Sequence, residues 1–431
     1  MFRDVFKLQN GEYFLYENGR LSIHKYFDAV DAFHVDEEPV LTEWEDKIAS
    51  AFTESVEMHK ISDVEVGCFL SSGVDSSYVV REVSKVTKDV KTFSVGYEEE
   101  RYSELPYAQD FSQVIGVENI SNKVSADEFF GMAGKIQYYM DEPLPNPSEI
   151  PLFFLAQNAA KYVKVVLSGE GADEFFGGYR IYQTPFANAK LSWVPKGLLR
   201  GASKAAHALG VRGANYLERA SETPEDWYYT NANGVAFSPE ERARLLKRPV
   251  QACSPQELIA PAYAEAAGLD DTTRMQYVDL FFWLVGDILL KTDKMSMAHS
   301  LESRVPFLDK EVFNVSRTIP TPFKANGEQT KIALREAAER TIPKDWAQKE
   351  KLGFPVPMVD WLRQDRYYNQ VKEWFTGDIA QQFFNTDELV RLLDEHRYKI
   401  DRSRKIWIVY MFLMWYKIYF VDKTVPKKPA A

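Results

Sequence analysis

The first 180 residues constrain the fold most strongly, because short apolar runs alternate there with patterns typical of helices. Strand-like runs cover residues 64–70, 90–95 and 163–167, and helix-like segments cover residues 41–58, 126–140 and 151–160. Strands that alternate with helices predict a parallel sheet whose connections are right-handed crossovers. The sequence therefore predicts an α/β core with a doubly wound parallel sheet.

The regions on either side of this core differ from it. After about residue 182 the β-rich runs stop, and helical patterns continue to about residue 420. Near the start, residues 12–16 and 21–27 alternate in polarity around Asn18 and Gly19, which favours a tight hairpin. No other strand pattern follows before residue 40, so we interpret this hairpin as part of a β-rich domain that the chain otherwise lacks.

Small and hydroxyl-bearing residues follow the first predicted strand, in the segment Phe69-Leu70-Ser71-Ser72-Gly73-Val74-Asp75-Ser76-Ser77. Backbone N–H groups and serine hydroxyls at the start of a helix predict a phosphate cradle, although a simple helix cap fits the same spacing. A carboxylate beside a phosphate, here Asp75, suggests a bridging Mg²⁺. The GxxxxGK[ST] loop of kinases and GTPases does not occur in the sequence.

A second loop follows the strand-like run 163–167 and reads Ser168-Gly169-Glu170-Gly171-Ala172-Asp173-Glu174-Phe175-Phe176-Gly177-Gly178-Tyr179. Three carboxylates within five residues repel one another unless a metal ion or a basic substrate group relieves them. The carboxyl ends of parallel strands line one crevice, so we expect this loop beside the Ser71 loop. A solvated acidic loop is the alternative, but the glycines favour close packing against a ligand.

Two later segments indicate a function less clearly than these two loops do. Residues 289–298 form an amphipathic pattern, and the loop 301–309 after it favours core packing with a Glu302 and Arg304 network. Lys349 and Lys351 precede a Gly and Pro loop, and the pattern alone predicts that both are exposed to solvent.

Composition excludes several classes of function. The net charge is −11 and no long run of Lys and Arg occurs, which argues against nucleic-acid binding. Cys68 and Cys253 are the only cysteines, which predicts a reducing compartment, no disulfide and no cysteine nucleophile. The longest apolar run, residues 406–416, is shorter than the roughly 20 residues of a membrane span. We therefore expect a cytoplasmic protein, with residues 406–416 as a buried helix.

Taken together, these segments resemble the synthetase domain of glutamine-dependent asparagine synthetases from about residue 41 to residue 420. The family's SGGxDS loop matches residues 71–76, with Ser72 in place of the first glycine. Its other motifs occur in order, SGEGxDExFxGY at 168–179, DEP at 141–143, SMA…ExRxPFLD at 296–309 and KxGF at 351–354.

The resemblance implies the fold of the ATP pyrophosphatases, or PP-loop proteins, of the adenine nucleotide α-hydrolase type. That fold is a five-stranded parallel sheet flanked by helices, here with a mostly helical C-terminal portion. The expected division is a hairpin and linker at 1–40, an α/β core at 41–182, a helical portion at 183–420 that completes the active site, and a flexible tail at 421–431.

The resemblance also assigns roles to single residues. Those expected to bind ATP and its pyrophosphate are Leu70, Ser71, Ser72, Gly73, Val74, Asp75, Ser76, Ser77, Val95, Ser168 and Gly169. Asp75 and Asp173 would hold Mg²⁺, and Glu170 would orient the amine nucleophile and accept its proton. Lys351 would stabilise negative charge on the α-phosphoryl group, with Lys349 as the alternative if the loop is shifted by two residues.

One departure from the family concerns the nitrogen donor. Family members begin with a glutaminase domain whose cysteine follows Met, whereas Phe2 follows Met1 here. The expected reaction therefore joins aspartate and free ammonia at the expense of ATP, with the glutaminase missing or supplied separately. The oligomeric state stays open, and a homodimer is compatible with the sequence.

Three other readings stay open at this stage. A ring-closing relative, such as a β-lactam synthetase or a peptide cyclase, would use the same adenylation on a larger substrate. A tRNA-modifying ATP pyrophosphatase is disfavoured by the acidic charge balance. A catalytically silent module would bind ATP without releasing pyrophosphate.

Overall fold

The structure is a computed structural model that describes residues 2–30, 33, 40–211, 213–231, 236–250, 252–350 and 353–423. A parallel sheet of five strands forms its centre, β3 (Val66–Phe69), β4 (Lys91–Tyr97), β5 (Glu118–Val124), β6 (Val165–Leu167) and β7 (Glu302–Arg304). The spatial order is β5-β4-β3-β6-β7, and every neighbouring pair is parallel. This confirms the predicted α/β fold.

The chain winds outward from β3 to β5 and then returns to β6 and β7 on the other side of β3. The order therefore reverses between β3 and β6, and at such a switch point the loops that leave the strands separate and open a crevice. The pattern had missed β5, which is a mostly polar edge strand, and β7, which has three residues and lies far along the chain.

Apolar cores cover both faces of the sheet, because successive side chains of a strand point to opposite sides. On β3, Cys68 belongs to the core cluster that contains Phe52 and Val79, and Phe69 belongs to the cluster that contains Phe129. The helices of this half are α1 (Leu41–His59), α2 (Val74–Val86), α3 (Leu105–Ile115), α4 (Ala126–Met140), α5 (Glu149–Ala159) and α6 (Ala172–Phe176).

The second half is mainly helical, as the sequence predicts. Its helices are α7 (Thr184–Ala189), α8 (Lys196–Ala208), α9 (Ala214–Ala220), α10 (Pro224–Trp227), α11 (Pro239–Leu245), α12 (Pro255–Glu265), α13 (Asp271–Val278), α14 (Leu290–Met297), α15 (Lys310–Ser316), α16 (Thr321–Lys324), α17 (Ile332–Glu339), α18 (Lys344–Ala347), α19 (Met358–Trp361), α20 (Asp365–Thr376), α21 (Asp378–Phe383), α22 (Thr386–Tyr398) and α23 (Ser403–Tyr416).

Helices of the second half close over the sheet. A π-helical segment, Asp279–Leu289, joins α13 to α14. Trp407 of α23 lies in the same core cluster as Phe129 of α4, and this confirms that the apolar run 406–416 is a buried helix. The last predicted segment is a flexible tail at 421–431. Its residues 424–431 lie outside the described residues.

The predicted N-terminal hairpin is present as β1 (Glu12–Glu17) and β2 (Arg20–Lys25). Asn18 and Gly19 have φ angles of 50° and 76°, as its tight turn requires. Its apolar side chains are exposed, since 58% of the surface of Phe14 and 57% of that of Ile23 is accessible. Among all the described residues, no helix is long and apolar enough to cross a membrane.

Candidate active site

The two loops singled out in the sequence meet at the switch point of the sheet. The Ser71 loop follows β3, and the Ser168 loop follows β6. A Cβ atom added to Gly169 would lie 2.8 Å from the Ser76 nitrogen and 2.9 Å from the Asp75 carbonyl carbon. The backbones of the two loops are therefore in direct contact, and only glycine fits there.

The Ser71 loop is held in shape by its own hydroxyl groups. The Ser71 backbone N–H donates to Ser76 Oγ at 3.0 Å, and the two hydroxyls lie 2.9 Å apart. The Gly73 N–H donates to Ser71 Oγ at 3.3 Å, and α2 begins directly after it. The N-terminus of α2 therefore presents partial positive charge beside a preformed loop, an arrangement that favours an anion.

A cavity of about 1380 Å³ opens at this point. Most of the predicted site residues line it, namely Leu70, Ser71, Asp75, Ser76, Val95, Ser168, Gly169, Glu170 and Asp173. The volume exceeds the roughly 300–1,000 Å³ of a pocket for one drug-sized ligand. The cavity is therefore large enough for more than one small ligand.

Four predicted residues lie behind the cavity wall instead of lining it. The side chain of Val74 packs in the apolar core, and Ser77 is fully buried within α2. The Ser72 hydroxyl donates to Glu104 Oε1 at 2.6 Å, and Glu104 itself lines the cavity. Gly73 caps α2. These four residues therefore support the shape of the loop, while Ser71, Asp75 and Ser76 face the cavity.

The two aspartates assigned to a metal converge on a lysine that sequence reasoning missed. Lys331 Nζ lies 2.6 Å from Asp75 Oδ1 and 2.6 Å from Asp173 Oδ1. All three residues are buried, with 2%, 6% and 7% of their surfaces exposed for Lys331, Asp75 and Asp173. Lys331 also has a left-handed φ of 56°, which is an unfavourable conformation for lysine. No pattern around Lys331 distinguishes it in the sequence.

The chemistry of this group is compatible with Mg²⁺. Within the described ranges, no cluster of three or more His, Cys, Asp or Glu side chains could hold a metal ion alone. Mg²⁺ commonly uses one or two protein carboxylates together with substrate phosphates and water. Asp75 and Asp173 already direct two carboxylates at one cation, Lys331, so they could supply the protein's share of such a site.

The third carboxylate of the acidic loop, Glu174, has a different role from Asp173. It is fully buried, and Tyr179 Oη donates to its Oε1 at 2.5 Å. Burial, and next the charge of Asp173, raises the pKa of Glu174 to about 7. Trp283 Nε1 donates to Tyr179 Oη at 3.0 Å, so the network ties the acidic loop to the π-helical segment.

Glu170 lines the cavity and is oriented by α14. Thr292 Oγ1 donates to Glu170 Oε1 at 2.6 Å, and Thr292 is almost completely buried. A buried hydroxyl fixes the orientation of a carboxylate and leaves it as an acceptor. Thr292 lies in the amphipathic stretch that the sequence identified, but spacing alone gave no reason to choose it.

Lys349 and Lys351 are the two lysines before the Gly and Pro loop. Lys351 lies outside the described residues. The prediction that Lys349 is exposed is wrong, because its Nζ is buried 3.3 Å from the centroid of the Tyr107 ring. Burial lowers the pKa of Lys349, and Glu104 partly opposes this shift. The aromatic ring explains why a cation is tolerated there.

A second residue that sequence reasoning missed, Arg335, positions this segment. Its Nη1 donates to the carbonyl oxygens of Ala347 and Lys349 at 2.8 and 2.9 Å, and its Nε donates to Thr330 at 2.8 Å. Arg335 also lines the cavity. It therefore joins the cavity wall to the chain that leads to Lys351.

The Glu302 and Arg304 network lies at one edge of the sheet, beside β6. These residues form β7, and their side chains form an ion pair with an N–O distance of 2.7 Å. Arg304 Nη1 donates to the carbonyl oxygens of His59 and Ile61 at 2.7 and 2.8 Å. The motif thus fastens the edge of the sheet to the end of α1.

The sheet is doubly wound, and an anion cradle and a cluster of carboxylates lie at its switch point. These features place the protein in the class of α/β proteins that bind a ligand at the carboxyl ends of the strands. The family model described as asparagine synthase matches residues 47–417. The chain belongs to the asparagine synthase family.

Individual relatives agree with this assignment. The chain is 39% identical, over 98% of its length, to asparagine synthetase [glutamine-hydrolyzing] 1 of Bacillus subtilis. It is 41% identical, over 89% of its length, to a putative asparagine synthetase [glutamine-hydrolyzing] of Mycobacterium tuberculosis. The chain is also 29% identical, over 56% of its length, to a putative asparagine synthetase [glutamine-hydrolyzing] 2 of Methanocaldococcus jannaschii, of which the match spans 48%. The match spans 67% of the Bacillus protein and 59% of the mycobacterial one.

Proposed function

We propose that the chain converts aspartate to asparagine through β-aspartyl-AMP, with ATP as the activating substrate and ammonia as the nitrogen donor. The observation that carries this proposal is the convergence of the Ser71 loop, the two aspartates and Glu170 on one cavity in a member of the asparagine synthase family. Activation is required because a carboxylate is a poor acceptor for an amine.

In the first step the β-carboxylate oxygen of aspartate attacks the α-phosphorus of ATP, and the bond from that phosphorus to the bridging oxygen breaks. The Ser71 loop and the N-terminus of α2 bind the pyrophosphate that leaves. Lys331, which is buried between Asp75 and Asp173, adds positive charge beside these two aspartates. Lys351, or Lys349 as the alternative, would stabilise the charge that develops on the α-phosphoryl group.

Asp75 and Asp173 would hold Mg²⁺ together with phosphate oxygens of ATP. When bound, the ion neutralises the charge of the phosphates and of the pyrophosphate. The carboxylates of this chain would hold the ion, and Leu70, Val95, Ser168 and Gly169, which line the cavity, would surround the adenosine.

In the second step ammonia attacks the acyl carbon, and the bond from that carbon to the AMP oxygen breaks. Glu170 orients the nucleophile and accepts the proton that the nitrogen loses, while Thr292 holds its carboxylate in place. Water must be kept away, because it would hydrolyse the acyl-adenylate. The helices of the second half that line the cavity supply this protection.

We propose ammonia itself as the nucleophile at this cavity, because Glu170 lines it as an acceptor for the proton that the nitrogen loses. A glutaminase unit, on the same polypeptide or on a separate one, would deliver ammonia in the intact system. The exposed apolar side chains of the β1–β2 hairpin support a contact with such a unit.

We also propose a cytoplasmic location. Cys68 and Cys253 are the only cysteines of the sequence, a usage that favours a reducing compartment. Burial raises the pKa of Cys68 to about 12, which leaves it without the thiolate character of a nucleophile.

One observation favours a second candidate. A cavity of about 1380 Å³ would also accept a larger carboxylate, as in the ring-closing relatives of this fold. Such an enzyme would release pyrophosphate only when its larger substrate is present and would not use aspartate.

The decisive experiment measures pyrophosphate release from MgATP with aspartate, with ammonium chloride or glutamine, while asparagine and AMP are followed by chromatography. We expect aspartate-dependent release and asparagine formed from ammonia but not from glutamine. Absence of aspartate-dependent release would move the proposal to the ring-closing reaction or to a silent module. ATP binding with no pyrophosphate release under any condition would indicate a silent module.

A further inference from the structure

The cavity wall carries a pair of opposite charges outside the two loops described above. Asp287 and Lys291 both line the cavity and are buried, with 8% and 7% of their surfaces exposed. Asp287 lies near the end of the π-helical segment, and Lys291 lies at the start of α14. Side chains four residues apart on a helix share one side, so both charges face the same part of the cavity.

The pair is looser than an ordinary buried ion pair. Lys291 Nζ lies 3.3 Å from Asp287 Oδ1, whereas charge-assisted hydrogen bonds are about 2.7–2.9 Å long. Asn146 Nδ2 donates to the same oxygen at 2.6 Å, and Asn146 is itself fixed by Ser148. Both hydrogen bonds end on Oδ1, so a ligand ammonium that approaches Oδ2 would leave Asn146 in place.

A neighbouring acid does not neutralise Lys291. Glu149 is fully buried, and neither of its carboxyl oxygens has a hydrogen-bond partner among the described residues. Burial, and next the charge of Asp287, raises the pKa of Glu149 well above its ordinary value, so it is held in the neutral form. This part of the wall thus presents one anion, Asp287, and one cation, Lys291. An α-amino acid head group carries the complementary ammonium and carboxylate.

The pair also lies close to the reacting group. Thr292, the residue after Lys291, donates to Glu170 at 2.6 Å. Three C–C bonds of about 1.5 Å separate the two carboxyl carbons of aspartate. An aspartate anchored by its head group at the pair can therefore extend its side-chain carboxylate toward the Glu170 side of the cavity.

We infer that Asp287 binds the α-ammonium and Lys291 the α-carboxylate of the amino-acid substrate, and that Asn146 positions Asp287. This assignment rests on the proposed function and specifies how its site selects an amino dicarboxylic acid. Succinate carries no ammonium group to bind Asp287, and β-alanine carries no α-carboxylate to bind Lys291. Unpaired buried charges make both of these substrates poor.

The test is calorimetric binding of aspartate, glutamate, succinate and β-alanine to the protein with α,β-methylene ATP and Mg²⁺. We expect the wild type to prefer an α-amino dicarboxylate. The variants Asp287→Asn and Lys291→Met should weaken that binding about tenfold to a hundredfold. Binding of the ATP analogue should change less than twofold. Asp287→Asn should also lose most of the preference for aspartate over succinate, a loss that a merely bracing ion pair would not produce.

Lys294→Met provides the matched control. Lys294 also lies on α14 and pairs with Asp141, but it does not line the cavity. Its removal should leave amino-acid binding unchanged. A wild type that prefers glutamate, with the same losses in the variants, would refute aspartate as the substrate and keep the assignment of the pair. A wild type that binds none of the amino dicarboxylates, or variants with unchanged selectivity, would overturn the assignment.

Discussion

Replacing Lys331 with Met tests how the site holds two carboxylates together. The side chains of Lys331, Asp75 and Asp173 have 2%, 8% and 9% of their surfaces exposed, and both ion pairs are 2.6 Å long. Exposed ion pairs contribute about 0–1 kcal/mol, but removing one member of a buried pair costs about 3–5 kcal/mol. The ion pairs of Lys331 are buried, so the larger cost applies. We therefore expect Lys331→Met to lower the free energy of unfolding by about 3–5 kcal/mol.

The size of the loss has a specific cause that a compensating variant isolates. Methionine fills most of the volume of lysine but leaves two buried carboxylates facing one another without a cation. Neutralising them as well, in Lys331→Met/Asp75→Asn/Asp173→Asn, should restore most of the stability, because the whole charged group is then replaced. Mg²⁺ at ten times its dissociation constant should stabilise Lys331→Met by about 1.4 kcal/mol, provided that it binds only the folded form.

Urea unfolding at pH 7, followed by tryptophan fluorescence, measures these differences, with a check that the m-value is unchanged. Lys294→Met removes an exposed ion pair with Asp141 and should cost less than about 1 kcal/mol. A loss for Lys331→Met as small as that of this control would refute the reasoning. So would a triple variant that is no more stable than the single one.

Three further predictions concern Asp279, Gly169 and Arg335. Burial raises the pKa of Asp279 from 3.8 to about 7, so the charged form is disfavoured in the folded state and stability should fall as pH rises from about 4 to 7. Asp279→Asn should reduce this pH-dependent loss of the free energy of unfolding by about 4 kcal/mol, measured by unfolding at each pH. A variant whose stability falls with pH as steeply as that of the wild type would contradict this role of Asp279. Gly169→Ala should cost about 1–3 kcal/mol and abolish ATP binding by titration, because its Cβ meets the Ser76 backbone, whereas Gly131→Ala, with open space, should do neither. Arg335→Lys should slow aspartate-dependent pyrophosphate release at least about tenfold, because a lysine cannot hold two carbonyl groups and Thr330 together; a normal rate would show that the segment needs no such support.

Much of the fold follows from local patterns. The run before the Ser71 loop is a strand at Val66–Phe69, within two residues of its predicted bounds at each end, and α4 begins and ends where the helical spacing indicates. Buried strands and amphipathic helices reveal themselves because burial selects apolar residues at a fixed period. The polar strand β5 and the three-residue strand β7 lack that signal, and only pairing with their neighbours makes them strands.

The loops of the site were equally accessible from the sequence, because small residues, hydroxyls and carboxylates concentrate where a strand ends. Lys331 was not, since 256 residues separate it from Asp75 and its neighbourhood is an ordinary polar stretch. Lys349 was misjudged for the same reason, because the ring of Tyr107 that covers it lies far away in the chain. Sequence alone thus determined the class of fold, the family and the two loops. Tertiary structure decided which charges meet inside the cavity, because burial and charge pairing depend on segments that only packing brings together.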